Sequence, residues 1–189
     1  MGLGDYLGKH GDRTTCPAVC YGIKIALLSM VYWCGAWLGL LLETAYGGLT
    51  PIWPPSGLAV AVFLAWGWRY WPVVALGEFV IALTLRQSPL AGVIGGGAQI
   101  LEAMLALYLL RRANVVDIAS SARSVVRFAL MGAAIPPLVS SVIGATSLLV
   151  LGHLTRDAYP SGIVTWWLGD AIGILLLTPI LVKVLAKRP

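Results

Sequence analysis

From Val19 to Leu42 the chain runs with Lys24 as its single charge, and Pro72–Leu85, Pro89–Leu110, Val125–Leu151 and Gly162–Val182 each carry one charged residue as well. About 20 apolar residues in a row cross the hydrocarbon core of a bilayer as a helix. No soluble fold has enough polar surface to cover so many of them. Composition agrees, since 59% of the residues are hydrophobic and 11% charged, where a soluble domain carries about a quarter charged residues. These runs dictate an all-α fold, a polytopic membrane helical bundle.

A sixth run, Gly57–Trp68, is shorter and continues the corner Pro51–Gly57, PIWPPSG. Six transmembrane helices with proline-broken segments are therefore expected, the fifth broken at Pro136-Pro137 and the sixth kinked at Pro179. The alternative divides the fifth at its two prolines into a helix pair. Residues 19–185 make one membrane domain, preceded by a segment 1–18 and followed by a tail 186–189. The polar opening Met1–Thr15 leads into a run too long for a signal-peptide core, with no small-residue cleavage site, so the first span is expected to stay attached.

Basic residues orient the bundle. With the N-terminus in the cytoplasm, Lys9, Arg13, Lys24, Arg69, Arg111, Arg112, Arg123, Arg127, Lys183, Lys187 and Arg188 lie inside, and Arg86 and Arg156 outside. That bias predicts an N-in/C-in topology. It also places PIWPPSG, Glu43 and Asp157 at the outer face. The net charge of +5 comes from residues scattered at span ends rather than gathered in a patch, which argues against nucleic acid as a partner and for membrane lipid. Cys16, Cys20 and Cys34 have no histidine near them, and His10 and His153 have no partner at helical spacing. No metal site is expected, and no cofactor.

Glu78, Glu102 and Asp170 each fall inside a span. A charge near the bilayer centre costs about 3 kcal/mol on insertion scales, and no Lys or Arg lies deep enough to pair with these acids. They are therefore neutral acids that bond neighbouring helices, or they form a site for a ligand or ion. Trp166 and Trp167 precede Asp170 by four and three residues and share its side of the helix, so an indole N–H can reach that carboxylate. Glu102 follows Gln99 by three and Ala98 by four, a small polar stripe that faces the interior. Gly35/Gly39, Gly92/Gly96 and Gly169/Gly173, with the run Gly95-Gly96-Gly97, allow close helix approach. The last pair flanks Asp170.

Pro54-Pro55 holds an extended corner, after which Ser56 can cap the next helix and leave its N-terminal N–H groups facing outward. Pro136-Pro137, followed by Ser140 and Ser141, suggests a second break. Irregular backbone of this kind is tolerated at membrane depth only where it is packed in protein or lines a cavity. Trp68 and Trp71 beside Arg69 fit an interfacial aromatic belt. Trp53, Trp166 and Trp167 instead gather near proline corners and acids. The candidate ligand-binding set is Trp53, Pro54, Pro55, Ser56, Glu78, Glu102, Trp166, Trp167 and Asp170.

Two stretches, WPPSGLAVAVFLAWGWRYWPVVALGEF from Trp53 to Phe79 and WWLGDAIGILLLTPIL from Trp166 to Leu181, resemble the bacterial membrane-associated sensor (MASE) domain of the first kind. LEAMLALYLLRR, Leu101 to Arg112, also fits its middle helix. The resemblance implies a multi-pass input module in the bacterial inner membrane, without enzymatic activity. It implies as partners a cytoplasmic output domain, a histidine kinase or a diguanylate cyclase or phosphodiesterase, in cis or in trans, and a homodimer. Carried over by residue, the recurrent positions are Trp53, Pro54, Pro55, Gly57, Glu102, Trp166, Trp167, Gly169, Asp170 and Pro179. The chain departs from the family pattern in length, since members have about eight spans and continue into an output domain.

The reading is thus a sensory input domain that binds a small ligand or ion from the outer side and relays a helix rearrangement inward. A substrate-binding membrane subunit of a small-molecule transporter is the alternative, which little internal repetition supports. An enzyme is not expected, for no span carries a His-Glu zinc motif and no Ser has a His or Lys at useful spacing.

Overall fold

The computed structural model describes residues 18–42, 49–85, 88–115 and 117–186. Lys9, His10, Arg13, Cys16, Glu43, Arg86, Lys187 and Arg188 lie outside the described residues. Within them every regular element is helical: α1 (Ala18–Leu40), α2 (Pro54–Trp66), a 3-10 turn (Trp68–Tyr70), α3 (Trp71–Thr84), α4 (Pro89–Arg112), α5 (Ala122–Phe128), a π-helical turn (Ala129–Ala134), α6 (Ile135–Val150) and α7 (Tyr159–Ala186). Four rods are long and apolar enough to cross a bilayer, namely Ala18–Leu40, Pro89–Arg112, Ala122–Val150 and Tyr159–Leu185.

The second crossing differs from the expected helix. α2 has 13 residues, or about 20 Å of helix against about 30 Å of hydrocarbon. The non-helical stretch 49–53 precedes α2. Pro54 packs on Gly35, more than a turn short of the end of α1, and Gly57 lies against Gly173, about halfway along α7. The proline corner is therefore not at the outer face but inside the bundle. Its backbone is satisfied there by protein: the Trp53 N–H donates to the Gly169 carbonyl at 2.9 Å and the Thr50 hydroxyl to the Ile52 carbonyl at 2.8 Å. That meets the condition for irregular backbone in a membrane.

Pro136-Pro137 corrects a second expectation. They do not break the fifth span, which is one rod from Ala122 to Val150. A proline in a helix lacks its N–H and presses its ring on the carbonyl four residues earlier. Here the turn just before the prolines is widened to the π form over Ala129–Ala134, so that the rings are accommodated and the helix resumes with the prolines in the first turn of α6.

α2 is the central post. Every residue from Pro55 to Leu64 is buried, and α2 packs against α7, α4 and α1, with α3 against α4 and α1, and α6 against α4 and α7. A helix that is apolar all round belongs in a core. α1 lies at the edge, turning Leu27, Met30, Trp37 and Leu38 outward, where lipid is their solvent. At one end of the bundle Lys24 sits 5.8 Å from the Trp66 ring, the Tyr21 hydroxyl donates to the Arg69 carbonyl at 2.6 Å, and the Arg127 guanidinium to the Ala113 carbonyl at 3.1 Å. Arg111 and Arg112 in the last turn of α4 and Lys183 in the last turn of α7 share that end. Arg156 lies at the other, between α6 and α7.

Candidate functional site

Asp170 stands near mid-depth on α7, wholly buried, because the Gly169 and Gly173 that flank it let the corner backbone come against the helix. A methyl group at Gly173 would fall on the Trp53 carbonyl, and one at Gly169 on the Thr50 carbonyl. The expected close approach beside the acid is thus present, with an extended segment as partner before α2 begins. This brings Ser56 onto Asp170: its hydroxyl donates to Oδ1 at 2.6 Å. Ser56 is not the cap of α2, as its hydroxyl is engaged by the acid and the N-cap position, Trp53, makes no side-chain cap bond.

α4 contributes Gln99 and Glu102, both buried, confirming the polar stripe as an interior face. The Gln99 amide nitrogen donates to Asp170 Oδ1 and Oδ2 at 3.3 and 3.2 Å, while its oxygen lies 3.1 Å from the Ser56 hydroxyl. From α6 comes Ser140, whose hydroxyl contacts Glu102 Oε2 and also Asp170 Oδ2 at 3.3 Å and the Pro137 carbonyl at 3.1 Å. One hydroxyl therefore bridges two of the three acids. Four elements, α2, α4, α6 and α7, meet at this network, and none of its members is cationic.

Glu78, on α3, belongs to a neighbouring pair. Its Oε1 accepts the Tyr32 hydroxyl of α1 at 2.7 Å, and the Trp53 side chain faces the same carboxyl. Tyr32 fits because Gly77 leaves its ring room, a Cβ there falling on the ring. Glu78 and Asp170 line one cavity of about 70 Å³. Leu49, Leu85 and Leu148 line it together with the indoles of Trp53 and Trp166, and Glu78, Gln99 and Asp170 give it polar groups. Glu102 is not on that wall and connects through Ser140.

The nine sequence candidates divide accordingly. Trp53, Glu78, Trp166 and Asp170 line the cavity. Ser56 and Glu102 stand directly behind it in the Asp170 network. Pro54 and Pro55 pack on Gly35 and Gly39 and hold the corner. Trp167 turns elsewhere: its indole donates to the Ala134 carbonyl in the π-helical turn at 2.8 Å, not to Asp170. Three participants were not among the candidates, Gln99, Ser140 and Tyr32. Gln99 shared the stripe with Glu102, and Ser140 followed the proline pair, so both carried a signal. Tyr32 carried none, because its partner is 46 residues away and its own helix holds other aromatics, Tyr21, Trp33 and Trp37, among which nothing singles it out.

Residues 25–186 match the family model of MASE1. The chain belongs to the MASE1 family. MASE1 domains are membrane-associated sensory domains rather than catalytic ones, and they usually sit with cytoplasmic output domains in signalling proteins. All the residues of the cavity and of the Asp170 network fall within the matched stretch. No curated protein and no solved structure matches the chain.

Proposed function

We propose that this MASE1 domain is a receptor whose ligand, a small molecule or ion, enters the cavity from the outer side and contacts Trp53, Trp166 and Asp170. The observation that carries the reading is the cavity's lining, where a broken membrane span, an indole pair and a buried carboxyl meet. Such a corner is difficult to build into a bilayer, and a simple helix bundle has no need of it. Below the carboxyls the bundle is filled by Val60, Phe63, Val73, Leu110 and Ile174, all buried, so the cavity has a floor. That favours a receptor over the substrate-binding subunit of a transporter.

α7 is the natural output rod. It runs unbroken from Tyr159 past Asp170 to Ala186, and Thr178 ties it to the Gly57 carbonyl of α2 at 3.0 Å. A ligand shifts such a bundle only through different affinities for two packings. A bound molecule that pulls on Asp170 acts on α2, α4 and α6 together and moves the cytoplasmic end of α7 toward its output partner. The test is a screen of small molecules and ions by thermal unfolding of the detergent-solubilised chain, repeated on Trp166→Ala and Asp170→Asn. Compounds that stabilise the wild type are expected to lose their effect in both variants. Tight ligands that stabilise both variants as they do the wild type would remove the cavity from the function.

A further inference from the structure

The chemical class of the ligand follows from what surrounds Asp170, given the reading of the cavity as the ligand site. The Ser56 hydroxyl, the Gln99 amide and the Ser140 hydroxyl stand 2.6 to 3.3 Å from its two oxygens, and each has a hydrogen to give. Donors around a carboxyl favour its acceptor-only, ionised form. Ser140 has one hydroxyl hydrogen. Glu102 Oε2, the Pro137 carbonyl and Asp170 Oδ2 all stand within its reach, so the two acids share one donor there.

The Asp170 carboxyl has no cationic side chain against it among the described residues. Among the described residues no Lys, Arg or His lines the cavity or bonds to Asp170. The N-terminus of α2 supplies about half a positive charge, and its first positions are prolines without N–H groups. The cavity reaches Asp170 directly, and Glu78 shares its wall. Its lining includes two indoles and three leucines, surfaces that suit C–H groups and, for the indole faces, a positive centre. A bare metal ion asks for six or so oxygens. The described residues hold no cluster of three His, Cys, Asp or Glu that could serve a metal.

The geometry points to a small organic cation, an amine or quaternary ammonium, as the ligand, with Asp170 as its counter-ion and Trp53 and Trp166 as its walls. Tetramethylammonium and its neutral near-isostere tert-butanol are the probes, titrated against the purified chain in detergent with sodium chloride at matched ionic strength and read by thermal unfolding. Tetramethylammonium is expected to stabilise the wild type and Glu102→Gln in a saturable way. Its affinity falls by at least about tenfold in Asp170→Asn, as when a buried charge pair loses one partner. Trp166→Ala, which leaves the hydrogen-bond network intact, is expected to weaken it as well, and this variant decides the matter if Asp170→Asn does not fold. Equal stabilisation by tert-butanol or by sodium chloride overturns the inference, as does full affinity in Asp170→Asn. A neutral molecule that stabilises the wild type but not Trp166→Ala overturns the charge assignment and leaves the receptor cavity standing. Tetramethylammonium binding unchanged in every variant overturns both.

Discussion

Gly173 has no room for a methyl group, since a Cβ there lands on the Trp53 carbonyl, and Gly57 opposite is closed by the Gly173 carbonyl. A backbone cannot yield as a flexible side chain does. Gly173→Ala is therefore expected to destabilise the domain by about 1–3 kcal/mol, several degrees of melting temperature for a chain of this size. Gly97, in the same kind of helix, has nothing within 4 Å of its Cβ position, and Gly97→Ala is expected to be neutral or to gain up to about 1 kcal/mol. Thermal unfolding of the two variants in one detergent checks the pair, and equal melting temperatures would show that the corner does not lie on α7. At this scale the sequence was informative wherever a residue was costly. Asp170 and Glu102 stood out because lipid penalises them, and the glycines because their spacing repeats. The identity of what fills each glycine's gap was not legible, because Trp53 and Gly173 are brought together by chain reversal rather than by local spacing.

The elements followed the apolar runs, with two departures that share one cause. Hydrophobicity counts residues but does not say whether they are helical. The run beginning at Gly57 is too short to span alone, and the residues ahead of it, 49–53, are non-helical and packed on α7. Pro136-Pro137 looked like a break because proline removes a donor, yet a π turn upstream absorbs the strain and keeps the rod whole. The turn is pinned from outside by the Trp167 indole on the Ala134 carbonyl. Trp167→Phe keeps the ring and removes that donor, leaving the carbonyl without the indole. The expected cost is about 1 kcal/mol, a drop of a few degrees in melting temperature. Trp167→Phe melting with the wild type would mean that the indole bond contributes nothing to holding α7 against the turn.

The charge pattern of the whole molecule was legible because positive residues are excluded from one side in bulk, whatever the helices do in between. Any even number of crossings returns the chain to its starting side, so the expected orientation does not depend on how much of the second span is helical. The seven described cations at the α1 start, α2–α3 turn, α4–α5 link and α7 end stand opposite Arg156 across the bundle. In cells this predicts opposite labelling of two exposed positions, Ala119 in the α4–α5 link and Arg156 in the α6–α7 link. With Cys16, Cys20 and Cys34 replaced by Ser, a membrane-impermeant maleimide should modify Arg156→Cys in intact cells. Ala119→Cys should react only after the membrane is permeabilised. The reverse pattern would turn the cavity to face the cytoplasm and remove the outer route to Asp170. Labelling of both positions from outside would mean that the rod Ala122–Val150, which lies between them and carries Ser140 to the Asp170 network, does not cross.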